Sequence, residues 1–114
     1  PKLFRNRPRT DYEIRPVEEF RAASASGGSY QPAALDGSRP GIFYVNTFNL
    51  RAQPLFSMET LSLHEATPGH HYQSTLQQEQ VSLSRYQRLN SFKAYTEGWA
   101  LYCETLGREL GLYT

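Results

Sequence analysis

Apolar and polar residues alternate with a period of two across residues 11–17 (Asp11-Tyr12-Glu13-Ile14-Arg15-Pro16-Val17), which predicts a strand. Pro16 places that strand at a sheet edge or ends it. Residues 18–23 suit one helical turn, and the Ser/Ala/Gly run 24–29 reads as a loop. A short extended piece is expected at residues 30–34, and residues 35–41 are dense in turn formers. Residues 42–48 (Ile42-Phe43-Tyr44-Val45-Asn46-Thr47-Phe48) are rich in β-branched and aromatic side chains and predict the best strand of the chain. Together residues 30–48 read as a loose hairpin.

Helical spacing takes over after residue 50. Residues 51–54 form a helix entry, with Pro54 acceptable in a first turn. A helix is predicted over 55–66, an interruption at Pro68-Gly69, a second helix over 69–80 and a helical turn over 85–90. The longest helix is expected over 92–110, where Tyr95, Trp99, Cys103, Leu106 and Leu110 recur every three or four residues. Gly111 fits the position just past its end. The class is therefore α+β: an N-terminal β-rich arm and hairpin (residues 1–50), then about three helices (residues 51–114). A chain of 114 residues makes one domain at most, and it reads as a piece of a larger polypeptide.

Charge changes this picture little. Twelve basic and 11 acidic residues leave a formal net charge of +1, so neither nucleic acid nor an anionic membrane is implied. No stretch is apolar for long enough to cross a bilayer. Cys103 is the single cysteine, which excludes a disulfide within the chain, and its apolar helical setting reads as core filling.

The chemistry concentrates in His64-Glu65-Ala66-Thr67-Pro68-Gly69-His70-His71. Zinc takes imidazole and carboxylate ligands in a roughly tetrahedral set. On an unbroken helix, His64 and His70 would be turned about 240° from one another at about 100° per residue. His64 and His71 would share a face but lie about 10 Å apart along the axis. Neither pair can share a metal on a regular helix. Pro68 removes one helical hydrogen bond and Gly69 tolerates unusual dihedrals. A local bulge there returns one histidine to His64, with His70 preferred and His71 the alternative. Glu65, turned about 100° from His64, takes the general-base position toward a metal-bound water. Glu97 is the candidate third ligand, in an apolar setting where Gly98 would allow close helix approach. Glu104, seven residues on, could orient a ligand histidine. Plainer alternatives are surface pairs of Glu97 with Lys93 and of Glu104 with Arg108.

These residues carry a resemblance. Residues 35–46, the octet with its continuation to Gln73, and Thr96-Glu97-Gly98-Trp99-Ala100-Leu101-Tyr102 resemble the bacterial domain of unknown function 885 family, whose members look like gluzincin zinc metallopeptidases. Thr96-Glu97-Gly98-Trp99-Ala100 is also similar to the Asn-Glu-Gly-Phe-Ala stretch of aminopeptidase N-like enzymes. Gly69-His70 is similar to the Gly-His that ends the zinc motif of angiotensin-converting-enzyme-like peptidases. The resemblance implies zinc held by His64, His70 and Glu97, peptide substrates, and the remainder of a longer chain as partner. It also implies substrate pairing along residues 42–48, with Tyr44 and Asn46 as substrate contacts; an ordinary hairpin strand is the alternative. Tyr44, Tyr72 and Tyr95 are candidate oxyanion donors, none singled out. The rival to a metallopeptidase is a noncatalytic structural or peptide-binding module with a vestigial metal site.

Overall fold

The computed structural model describes residues 3–113. Its elements run β1 (Tyr12–Pro16), α1 (Glu19–Ala22), β2 (Gly28–Gln31), β3 (Gly41–Val45), a 3-10 turn (Leu50–Ala52), α2 (Ser57–Glu65), α3 (His70–Glu79), α4 (Arg85–Leu89), α5 (Lys93–Thr105) and α6 (Gly107–Leu110). The class is α+β, as the pattern predicts. The expected arm is irregular and lies against the helices, with the Tyr72 hydroxyl donating to the Asn6 carbonyl at 2.9 Å. Its first two residues, Pro1 and Lys2, lie outside the described ones.

β3 occupies the centre of a three-stranded sheet of order β1-β3-β2. β1 runs parallel to it, with Ile14 opposite Phe43, and β2 runs antiparallel, with Tyr30 opposite Phe43. The hairpin of β2 and β3 is local and follows from the turn residues between them. The parallel β1–β3 pairing is long-range and has no local signature. Ile42 and Phe43 point to opposite faces, yet each is only 2% exposed. Burial of such side chains stabilises by roughly 1.5–3 kcal/mol apiece, so both faces of β3 are anchored.

Period-two geometry puts Gly28, Tyr30 and Phe43 on one face, against α2 and α3. Gly28 is bare because Leu61 of α2 sits there; a Cβ would lie 2.8 Å from Leu61 Cδ1. On the other face, Asn46 Nδ2 donates to the carbonyls of Ala22 (2.8 Å) and Ala25 (3.0 Å), tying down α1 and its following turn. α5 packs across α2 and α3, with Ala100 and Cys103 fully buried. The predicted stripe is buried at Cys103 and Leu106, whereas Tyr95 is 58% exposed. The long helix is divided: Leu106 separates α5 from α6, and Gly111 ends α6 with φ +86°. Among the described residues no helix is long and apolar enough to cross a membrane.

Candidate metal centre

The octet does not form a bulged helix. α2 stops at Glu65, residues 66–69 are irregular, and α3 starts afresh at His70. Gly69 is required by contact: a Cβ there would collide with the carbonyl oxygens of Leu63 and His64. The link is fixed from α5. The Pro68 carbonyl accepts from the Trp99 indole N–H at 2.8 Å and faces Cys103 Sγ at 3.4 Å. The start of α3 is thereby held back against the end of α2, and the His64 and His70 rings meet edge-to-face with centroids 4.8 Å apart.

α5 supplies the carboxylate. Glu97 Oε2 lies 3.4 Å from His64 Nε2 and 3.5 Å from His70 Nε2. These separations are long for hydrogen bonds. They match the edge of a tetrahedron, about 3.3–3.4 Å, that ligand bonds of about 2.0–2.1 Å to zinc would produce. One donor atom from each of His64, His70 and Glu97 falls within 4.8 Å of the others, and the three could hold a metal ion. Two imidazoles and one carboxylate are a donor set that suits zinc. Among the described residues no fourth donor joins them.

His64 is oriented from behind. Its Nδ1 lies 2.7 Å from Glu104 Oε1, so an Nδ1–H donating to that carboxylate leaves the Nε2 lone pair facing Glu97. Glu104 therefore faces His64 and not Arg108, and Glu97 faces the histidines and not Lys93. Two expectations about this helix are corrected. Glu97 is not buried in an apolar setting; its side chain is 53% exposed. Gly98 makes no close helix approach, since a Cβ there would meet open space.

His71 points elsewhere. One residue on from His70, it turns by about 100° and enters the sheet interface, 3% exposed. Its Nδ1 lies 2.8 Å from the Tyr30 hydroxyl and 3.3 Å from Thr75 Oγ1, with the Tyr12 ring centroid 4.8 Å away. The structure thus leaves it outside the cluster. Burial pushes its pKa below the ordinary imidazole value, against the raising influence of Asp11 and Glu79. Burial likewise lowers the pKa of His70, opposed by Glu97 and reinforced by His64.

Glu65 is 7% exposed. Burial raises its pKa above the usual carboxylate range; His64 opposes this and Glu97 adds to it. Among the described residues its carboxylate has no hydrogen-bond partner, and neither oxygen is sealed off from solvent-accessible space.

Two cavities reach the cluster. One of about 220 Å³ touches His70 and Glu97, and Tyr30 and Pro32 line it too. The other, about 440 Å³, touches His64, Glu65, Glu104 and Gly27. The larger groove of about 520 Å³ between α3, α4 and α5 is lined by none of these His and Glu donors. β2 connects the two cavities that matter. The Asn46 N–H donates to the Gly27 carbonyl at 2.9 Å. The antiparallel alternation then turns the backbone groups of Gly28 and Tyr30 away from β3.

Pairing of a substrate with residues 42–48 is corrected by the topology, because β1 and β2 occupy both edges of β3. Asn46, expected at substrate, instead binds the backbone through its amide, with Oδ1 accepting from the Phe48 N–H at 3.0 Å. Tyr44 lies under Arg21, whose guanidinium carbon is 4.9 Å from the ring centre. The Tyr72 hydroxyl is engaged by the arm, and Tyr95 lines the apolar groove. The free edge of β2 escaped the sequence reading. Its available signal was the unbroken apolar run 42–45, which suits a central strand buried on both faces rather than an edge.

The chain as a whole is similar to known proteins. A solved structure described as "the putative lipoprotein from Colwellia psychrerythraea" is similar to this chain with a TM-score of 0.94 and 42% identity. The match covers 98% of this chain and 19% of that one, so the chain spans about a fifth of that relative. No curated protein matches. The model of a family described as bacterial protein of unknown function (DUF885) matches residues 1–114, and the chain belongs to that family.

Proposed function

We propose that this chain carries the zinc site of a hydrolase that cleaves peptide bonds. The observation that carries the reading is the convergence of His64 Nε2 and His70 Nε2 on one Glu97 oxygen at 3.4 and 3.5 Å. Three donors with no fourth among the described residues favour a catalytic over a closed structural site, which uses four protein ligands. The similarity of Gly69-His70 to the zinc motif of angiotensin-converting-enzyme-like peptidases, and of Thr96-Glu97-Gly98-Trp99-Ala100 to that of aminopeptidase N-like enzymes, supports the same reading.

Zinc held there would supply a Lewis acid for the scissile carbonyl and would acidify water. The chain's own residues supply the rest. Glu104 fixes the His64 ring through the 2.7 Å contact at Nδ1. Glu65, adjacent to His64 and open to the larger cavity, accepts a proton from the attacking water and delivers it to the departing amine nitrogen. The raised pKa given by burial suits a group that must both take and release that proton. The outward N–H and carbonyl of Tyr30 can pair with an extended peptide beside the cluster, whereas the Gly28 carbonyl already accepts from the Ser26 hydroxyl at 2.7 Å.

The test is Glu65→Gln in the full-length, zinc-loaded protein. The expected result is retained zinc and hydrolysis of a peptide mixture reduced by at least about 10²–10⁴-fold, the range of general acid–base catalysis. Undiminished hydrolysis would remove Glu65 from the mechanism.

A further inference from the structure

We infer that the cavity beside His64 and Glu65 is a side-chain pocket selecting a large apolar residue next to the scissile bond; the inference rests on the peptidase reading. The two cavities flanking the cluster differ in chemistry. The one beside His70 and Glu97 is lined by polar groups, among them Ser74, Gln77, Arg88 and Thr96. The one beside His64 and Glu65 has an apolar stretch of wall, Ala52, Pro54, Phe56, Met58 and Leu61, interleaved with Gln53, Ser57 and Thr60. Its volume of about 440 Å³ lies within the ordinary range for small-ligand sites.

The strand and the helix bring this pocket to the substrate's path. Gly27 belongs to its wall and immediately precedes Gly28, the buried first residue of β2. The bare Gly28 lets Leu61 close the gap between α2 and the strand; a Cβ would intrude to 2.8 Å of Leu61 Cδ1. A peptide paired at Tyr30 on the β2 edge would run toward the Gly27 wall of the pocket, which Glu65 also lines. Phe56 stands at the pocket 82% exposed, an apolar surface that an incoming side chain would cover. Acidic side chains are disfavoured because Glu65 and Glu104 also line the pocket.

The test uses a mixed peptide library and the full-length, zinc-loaded protein. Cleavage positions are read by mass spectrometry, and binding of the same peptides to Glu65→Gln is read by fluorescence anisotropy. Leu, Met or Phe is expected next to the cleaved bond, preferred over Ser or Asp by on the order of 10²-fold. Met58→Glu should reduce that preference at least tenfold. Phe56→Glu, at an exposed position that leaves folding intact, should shift it in the same direction. Cleavage without apolar preference, or with a basic preference, overturns the pocket and leaves the peptidase reading standing. Apolar-selective binding without cleavage supports the pocket and overturns the peptidase reading. Neither binding nor cleavage overturns both.

Discussion

His64 Nδ1 and Glu104 Oε1 lie 2.7 Å apart across 40 residues of sequence. The contact joins α2 to α5 and decides which imidazole nitrogen is left for a metal. A carboxylate behind a ligand histidine raises its basicity and fixes its ring, and losing such a partner typically costs 10–100-fold in metal affinity. Glu104→Ala should weaken zinc binding by about that factor, measured by competition with a chelator of known affinity, and Glu104→Gln by less. Unchanged affinity in Glu104→Ala would show that the contact does not tune the site.

Gly69 has no room for a side chain, because a Cβ would meet two backbone carbonyls of α2. Backbone atoms cannot step aside as a flexible side chain can. Gly69→Ala should therefore destabilise the fold by more than about 4 kcal/mol, at the extreme of single substitutions, or prevent folding. Thermal denaturation followed by circular dichroism checks this. A native-like melting temperature would mean that the α2–α3 link is not held as described.

Asn46 binds the Ala22 and Ala25 carbonyls and the Phe48 N–H. Asn46→Ala leaves those backbone groups without partners and should lower stability by about 1–3 kcal/mol. In the full-length protein KM for peptides should stay unchanged per folded molecule. A raised KM at unaltered stability would restore Asn46 to the substrate path.

The His71 pKa is lowered by burial, and its Nδ1 is hydrogen-bonded to the Tyr30 hydroxyl. The unfolded chain takes up a proton near the ordinary imidazole value of 6.5, while the folded chain resists it to lower pH. The stabilisation is therefore complete above that value and is lost as pH falls through it toward the lowered folded pKa. Denaturant midpoints measured from about pH 7 down to about pH 5 should fall more steeply in wild type than in His71→Gln. Parallel slopes would contradict a buried neutral His71.

Much of this fold is legible in the sequence where the signal is local. The β-branched and aromatic run produced β3, turn residues produced the β2–β3 hairpin, and Gly111 ends α6. The histidine geometry is local too: a regular helix keeps both pairs apart, and the chain breaks helix at residues 66–69. What was not legible depends on distant contacts. The parallel β1–β3 register makes β3 central and moves the free edge to β2. The 100° turn between adjacent residues sends His70 and His71 to different neighbours, yet which one meets His64 depends on how α5 clamps Pro68. Glu104 had equal local claims from Arg108 and His64, and only the crossing of α2 and α5 separates them.

The central claim is that His64, His70 and Glu97 form one metal site and His71 does not belong to it. Elemental analysis of purified wild type, His64→Ala, Glu97→Ala and His71→Gln tests this most directly. The account predicts near-stoichiometric zinc in wild type and in folded His71→Gln, and its loss in His64→Ala and Glu97→Ala. Wild type that takes up no zinc on supplementation, or zinc that survives both ligand substitutions, would contradict it.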